Sequence, residues 1–334
     1  MPHLEQELTT SLTNINNSLI DLCASKSKLA EKICKHLLSL SSKRLRAKLT
    51  LLSTCICNQP MHTGEKLATI VEWLHAATLL HDDVIDNAEL RRYKKSANKI
   101  WDNSASILSG DYLYAIAFKN IASIKNHDIT ETIANATTSI IEGEMNQLSH
   151  RHGLYTDIEQ YISIIGSKTA ELFAVAAELP AINAKINALD RNNLRSFGYL
   201  FGLCYQIIDD INDYTNKSSI LGKTRYQDLK DGTCTLPLII AANSAPNEIK
   251  TLISKALKGC LESQNLCIDF LQQDTSYLTK SIDYAKNIAA QATAKLSSLP
   301  DTPAKKHLLN LLNSAFATNS FIKSHKIVDT NQRQ

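Results

Sequence analysis

Glu72-Trp73-Leu74-His75-Ala76-Ala77-Thr78-Leu79-Leu80-His81-Asp82-Asp83-Val84-Ile85-Asp86 is an apolar stretch that closes on three carboxylates. Its apolar residues recur at three- and four-residue intervals, which predicts a helix. On that helix Asp82 and Asp86 share a face one turn apart, with Asp83 alongside. Carboxylates this close repel one another unless a cation sits between them. The arrangement returns at Gln206-Ile207-Ile208-Asp209-Asp210-Ile211-Asn212-Asp213, again at the end of an apolar helical run. One such cluster could be an acidic helix end; two of the same form point to hard divalent cations. Mg²⁺ suits them, because it takes one or two carboxylates and completes its shell with water and phosphate oxygens. Facing clusters would clamp a diphosphate between metal ions. A calcium loop fits poorly: neither cluster has a glycine at the sixth position, and the twelfth residue from Asp209 is Ile220. Neither has His or Cys at zinc spacing.

Outward from these motifs, helical periodicity dominates. Candidate helices cover roughly 4–23, 27–57, 64–91, 99–124, 128–150, 157–180, 188–216, 234–243, 247–270, 275–298 and 302–324. Asp157 is placed to N-cap its helix and Pro303 to begin the last one. Ten glycines and seven prolines in 334 residues argue for long helices with few tight turns. The expectation is an all-α fold in a single domain, 1–334, with an ordered core about 4–325 and a frayed tail 328–334. Residues 215–233, polar and carrying four Lys or Arg, read as a charged loop suited to a lid over a charged ligand.

A net charge of +3 is too small to argue for nucleic acid or an anionic membrane surface. No run of 18 apolar residues exists, so no membrane span is expected. The N-terminal MPHLEQELTTSL lacks the layout of a signal peptide, and the eight scattered cysteines read as reduced thiols. A cytoplasmic location follows as an expectation. Arg91-Arg92, Lys43-Arg44-Leu45-Arg46, Lys168-Thr169 and Lys223 supply the cations that usually meet phosphate.

Together these residues make the chain similar to the trans-type polyprenyl diphosphate synthases, most of all to the long-chain, octaprenyl-type branch. The ordered motifs that carry the resemblance run from about Lys43 to Leu238. They are the Glu72–Asp86 stretch with Arg91-Arg92, Gly110-Asp111-Tyr112-Leu113, Gly143-Glu144, Lys168-Thr169-Ala170, the second cluster and Thr235-Leu236-Pro237-Leu238. The resemblance implies an isoprenoid-synthase-type helical bundle around a deep central cavity, usually a homodimer. It implies Mg²⁺ as cofactor, held by Asp82, Asp86 and Asp209, with Asp83, Asp210 and Asp213 in support. Arg91, Lys168, Thr169, Gln206 and Lys223 would bind the allylic diphosphate; Lys43, Arg46, His75 and Arg92 would bind isopentenyl diphosphate. Asp82, Asp83, Asp86, Lys168, Asp209 and Asp210 would be catalytic. The reaction implied is head-to-tail (1′-4) condensation to a long-chain trans-polyprenyl diphosphate of about C30–C50, centred on C40, for quinone side chains.

His75 lies two turns before Asp82 on nearly the same face, which favours a ligand role over a core role. Ala77 and Thr78, one turn before the cluster, are small. In short-chain relatives an aromatic ring there would plug the growing chain, so an open tunnel is expected, with Tyr112, Tyr114 or Phe118 as a deeper floor. The chain also departs from the family pattern. Ser41 and Ser42 replace glycines, Ala47 a proline, Tyr93 a glycine, Tyr226-Gln227 a Gly-Asp pair, Thr233 a lysine and Cys234 a proline. A short-chain synthase, a terpene cyclase and a catalytically weak partner subunit are the alternatives. The second aspartate cluster and Lys43, Arg46 and His75 argue against a cyclase.

Overall fold

The computed structural model describes residues 2–21, 23, 25–40, 42–215 and 225–317. Lys223, Ser41 and the predicted tail lie outside these residues. The helices in chain order are α1 (Pro2–Asp21), α2 (Lys28–Leu38), α3 (Leu45–Ile56), α4 (Glu65–Ile85), α5 (Ala97–Ile100), α6 (Asn103–Ala122), α7 (His127–His150) and α8 (Ile158–Ile165). A π-helical segment, Gly166–Ala170, joins α8 to α9 (Glu171–Asn183). Then follow α10 (Ala188–Thr215), α11 (Gln227–Lys230), α12 (Leu236–Ser244), α13 (Asn247–Leu257), α14 (Leu261–Gln273), α15 (Ser276–Lys295) and α16 (Pro303–Ala317). Among the described residues the only strands are β1 (Leu90–Arg91) and β2 (Lys94–Lys95), a two-residue antiparallel pair.

The described residues form two compact units. One comprises residues 2–135, 172–198 and 298–308. There α4 packs along α6, and the core includes Leu49, Leu52, Ile70, Val71, Trp73, Phe173 and Phe197. The Trp73 indole N–H donates to the Leu19 carbonyl at 3.4 Å, which satisfies its one polar atom inside the core. The other unit comprises residues 136–171, 199–297 and 309–317. Its core gathers Tyr161, Phe201, Tyr214, Leu236, Leu238, Leu257 and Leu271.

Asp157 does cap α8, accepting from the Glu159 N–H at 2.9 Å, and Pro303 does open α16. All eight cysteines are free. Several predicted helices, however, are shorter or divided, the run 99–124 among them, which breaks between α5 and α6. The run 27–57 breaks into α2 and α3, because Arg44 adopts a left-handed backbone (φ 47°) at the N-cap of α3. The run 64–91 stops at Ile85. There Asn87 (φ 49°) donates its N–H to Val84 O, and Ala88 N–H reaches back to Asp83 O, which is a Schellman closure. The run 247–270 divides at Gly259 (φ 87°) through the same pair of bonds, Gly259 N to Ala256 O and Cys260 N to Lys255 O.

Glycine scarcity therefore understated the number of helix ends. Asn58, Asn87 and Lys185 occupy left-handed closing positions where glycine is usual, so few glycines did not mean few turns. Lys185 (φ 52°) is exposed at the end of α9. Lys185→Gly should raise the unfolding free energy by about 0.5 kcal/mol. That figure is the left-handed penalty of about 1–2 kcal/mol less the greater entropy glycine loses on folding, about 0.5–1 kcal/mol. A urea midpoint moved upward at constant slope would show it; a downward shift would refute the reading.

Candidate active site

The Schellman closure places the three aspartates of α4 in three environments. Asp86 is the C-cap residue and is exposed, Asp82 is half-buried one turn earlier, and Asp83 is buried. Asp83 Oδ1 receives both Nε and Nη2 of Arg91, each at 2.6 Å. Its Oδ2 is buried with no hydrogen-bond partner among the described residues. Burial pushes the Asp83 carboxyl above its usual range, and the Arg91 guanidinium opposes that. Asp83 is thus a holder of Arg91, and Asp82 and Asp86 present the more accessible oxygens.

Arg91 returns to Asp83 because β1 and β2 are joined by the two-residue turn Arg92-Tyr93. Both residues have positive φ, 51° and 68°, the signature of a type I′ turn that normally selects Asn-Gly. Tyr93 therefore keeps the left-handed conformation of the glycine it replaces. From the same turn Arg92 Nη1 donates to the Leu40 carbonyl at 3.3 Å.

Three further arginines, Arg46, Arg92 and Arg44, lie near His75. Lys43 is exposed, Arg46 is half-buried with its guanidinium 4.1 Å from the centre of the Phe173 ring, and Arg44 and Arg92 line a small cavity with His75. Burial, reinforced by Arg46, Arg91, Arg92 and Arg44, holds the His75 pKa well below the usual histidine value. At neutral pH it is an uncharged imidazole, able to donate one hydrogen bond and accept another.

In the second unit α10 presents Asp209 exposed and Asp210 buried. Asp210 accepts from the Tyr161 hydroxyl on α8 and from Gln206 Nε2 at 2.7 Å. Burial pushes the Asp210 carboxyl up to about 7, against the two hydrogen bonds, with Asp209 and Asp213 adding repulsion. Asp213 accepts the backbone N–H groups of Gln227 (3.0 Å) and Asp228 (3.1 Å), so it anchors the end of the charged loop. Tyr226, at the start of α11, has φ 61°; like Tyr93 it retains a left-handed backbone where the family pattern has glycine. Its ring is buried edge-on against Tyr214 at 5.6 Å, and that burial offsets the backbone strain.

Lys168 and Thr169 sit on the π-helical segment, whose widened turn redirects them from the α-helical rows on either side. Thr169 Oγ1 donates to Gln206 Oε1 at 3.0 Å, which links it to Asp210 through one amide. Lys168 Nζ donates to Glu144 Oε2 (2.8 Å) and Gln147 Oε1 (2.7 Å) on α7. Gly143 lets α7 come this near: a Cβ there would lie 2.7 Å from Lys168 N and 2.8 Å from Ser167 Cβ. Gly143→Ala should therefore displace the π-helical segment; given the allylic-diphosphate role that the resemblance implies for Lys168 and Thr169, it should raise the KM for an allylic diphosphate about tenfold, read from initial rates. An unchanged allylic KM would separate the segment from substrate binding.

Residues 27–270 match the family model described as polyprenyl synthetase. The chain belongs to the polyprenyl synthetase family. It is 36% identical over 297 residues to the all-trans-nonaprenyl-diphosphate synthase (geranyl-diphosphate specific) of Rhodobacter capsulatus, covering 87% of this chain and 90% of that protein. It is 32% identical over 319 residues to the octaprenyl diphosphate synthase of Escherichia coli K12, covering 92% and 96%. Among solved structures, a polyprenyl synthase from Caulobacter crescentus CB15, complexed with calcium and isoprenyl diphosphate, superposes with TM-score 0.86. That chain is 32% identical, with 92% of this chain and 94% of that one covered.

The all-α architecture and the long-chain branch expected from the motifs agree with these relatives. Within its own unit each polyprenyl synthetase motif is assembled: Asp82, Asp83, Asp86 and Arg91 in one, Lys168, Thr169, Gln206, Asp209 and Asp210 in the other. Glu144, Gln147 and Tyr161 were not among the residues assigned a site role. The Gly143-Glu144 motif was the available signal for the first; nothing local marks the other two. Thr233 closes a turn, its N–H donating to Asp228 O at 2.8 Å. Cys234 is buried, and its carbonyl accepts the Tyr155 hydroxyl at 2.6 Å.

Among the described residues, no three His, Cys, Asp or Glu side chains are grouped to hold a metal ion by themselves. The accessible carboxylates, Asp82 and Asp86 in one unit and Asp209 in the other, are hard oxygen donors. One or two such carboxylates leave a shell that water and diphosphate oxygens complete for Mg²⁺. The donors of each unit fit that ion.

Proposed function

We propose that this chain condenses isopentenyl diphosphate with an allylic diphosphate, head to tail, and extends a trans-polyprenyl diphosphate to about C30–C50, centred on C40. The observation that carries the reading is the matched construction of the two aspartate clusters. In each, an accessible carboxylate adjoins a buried one held by a specific donor, Arg91 for Asp83 and Tyr161 with Gln206 for Asp210. The long-chain products named for the relatives support the size class.

Asp82, Asp86 and Asp209 would hold Mg²⁺. When bound, the ion would neutralise diphosphate charge and so favour departure of the leaving group. Arg91, Lys168, Thr169 and Gln206 bind and orient the allylic diphosphate, together with Lys223 of the charged loop. The partners of Arg91, Lys168, Thr169 and Gln206 keep those four side chains in fixed rotamers before substrate arrives. Lys43, Arg46, His75 and Arg92 hold isopentenyl diphosphate; uncharged His75 adds a hydrogen bond without adding to the repulsion among the arginines. Ionisation of the allylic carbon–oxygen bond leaves a cation that the isopentenyl double bond attacks, and loss of a proton restores an allylic product. The departing diphosphate is the base.

The whole chain would act as a single cytoplasmic synthase domain, since the family match runs through residues of both compact units. No helix among the described residues is long and apolar enough to cross a membrane. A homodimer is supported by exposed apolar side chains, Ile107, Leu108 and Phe118 on α6 and Ile141, Met145 and Leu148 on α7. The product would serve as an isoprenoid side chain, such as that of a quinone.

Purified protein incubated with Mg²⁺, labelled isopentenyl diphosphate and either geranyl or farnesyl diphosphate should give a ladder ending near eight units. A folded protein that makes no product from any primer would overturn the reading in favour of a partner subunit. Its mass in solution would distinguish the two assemblies.

A further inference from the structure

Arg44 stands between Lys43 and Arg46 yet is built differently from both. Its left-handed backbone (φ 47°, ψ 46°) turns the side chain inward, where each of its three nitrogens donates to protein. Nη1 donates to Glu72 Oε2 at 2.9 Å, Nε to Asn16 Oδ1 at 2.9 Å and Nη2 to the Leu38 carbonyl at 3.0 Å. The second oxygen of Glu72 accepts the Ala47 N–H at 3.2 Å, in the first turn of α3. Glu72 is 2% exposed and lies on α4 one turn before His75. One buried carboxylate thus grips the basic segment directly after Lys43 and on both sides of Arg46, through the Arg44 side chain and through the α3 backbone.

The geometry also ties this grip to the neighbouring ligands. Arg44, Glu72, His75 and Arg92 line one cavity of about 20 Å³, room for a single water. Leu38, whose carbonyl Arg44 holds, and Leu40, whose carbonyl Arg92 holds, are two residues apart at the end of α2. Arg44 and Arg92 therefore fasten the same short segment from two directions. With each of its three nitrogens engaged and its side chain only 11% exposed, the Arg44 guanidinium serves to hold protein rather than to receive a diphosphate.

We propose that Arg44 and Glu72 are a positioning pair that sets Lys43, Arg46, His75 and Arg92 for isopentenyl diphosphate and leaves the allylic site unaffected. This rests on the assignment of those four residues to isopentenyl diphosphate. Glu72→Gln keeps the shape but gives the site an amide. One half of that amide must then oppose a donor, Arg44 Nη1 or Ala47 N–H, with its own N–H. The bidentate hold is lost without a change in volume.

The test measures KM for each substrate separately, with kcat, in the full-length protein. Glu72→Gln and Arg44→Lys should each raise the isopentenyl diphosphate KM about tenfold, with the allylic KM and Mg²⁺ activation unchanged within about twofold. Asn16→Ala removes one contact without stranding a buried charge. It should raise the same KM by a smaller factor, and it decides the question if the other two variants do not fold. Equal changes in both KM values, or no change in folded variants, would overturn the proposal. Lys43→Ala and Arg46→Ala run alongside: if they too leave the isopentenyl KM unchanged, the assignment of the site itself is wrong. If they raise it while Glu72→Gln and Asn16→Ala do not, only the positioning role is wrong.

Discussion

Asp82→Ala should lower turnover by a factor on the order of 10²–10³, and Asp209→Ala by a similar factor, which is what loss of one preorganised charge-stabilising group commonly costs. The two positions are chosen for their surroundings. Asp82 is half-buried and Asp209 exposed, so neither alanine leaves a cavity in the core, and thermal stability should scarcely change. Asp83→Ala should behave differently. It removes the partner of a partly buried guanidinium and should cost stability, at most the 3–5 kcal/mol of a fully buried broken pair and less here because Arg91 is 25% exposed. Its kinetic effect should fall on the allylic KM through displacement of Arg91. Rates measured across a Mg²⁺ titration separate the cases: the Asp82 and Asp209 variants should need more metal, the Asp83 variant the same. Equal metal requirements in all three would remove Asp82 and Asp209 from the ion.

Thr78→Phe should shorten the product from about eight isoprene units to three or four, by placing a ring one turn before the aspartates on the accessible side of α4. Thr78 is half-buried, whereas Ala77 has no accessible surface. Ala77 also lies where α4 and α6 approach backbone to backbone: a Cβ added to Gly110 would sit 3.2 Å from the Ala77 carbonyl. Ala77→Phe should therefore act chiefly as an overpacking mutation, lowering stability by about 1–3 kcal/mol. Chain-length analysis by reversed-phase chromatography, together with denaturant unfolding, distinguishes the two effects. A Thr78→Phe enzyme still ending near eight units would place the growing chain elsewhere. Tyr112 and Tyr114, half-buried on α6, are then the next positions to vary among the three aromatic residues considered for a deeper floor.

Much of this protein was legible from local pattern. The 3.6-residue period predicts helices, and the same period puts Asp82 and Asp86 on one face. The order of the motifs from Lys43 to Leu238 identified the family. Helix ends were less legible where Asn87, Arg44 and Lys185 take left-handed conformations, because those residues signal a turn far more weakly than glycine does. Tyr93 and Tyr226 stand where the family pattern has glycine. The backbone keeps the glycine conformation in both, and for Tyr226 the burial of its ring against Tyr214 offsets the strain.

What the sequence by itself determined is which carboxylates and cations the chain carries and which share a helical face, since both follow from spacing along a few turns. Which carboxylate would be accessible and which would be held was decided by tertiary structure alone. Asp83 is held because a hairpin brings Arg91 back to it, and Asp210 because Tyr161 reaches it from 49 residues away. Glu72 grips Arg44 across 28 residues. Desolvation and hydrogen-bond partnership depend on what packs against a side chain from distant parts of the chain, and no local period records that.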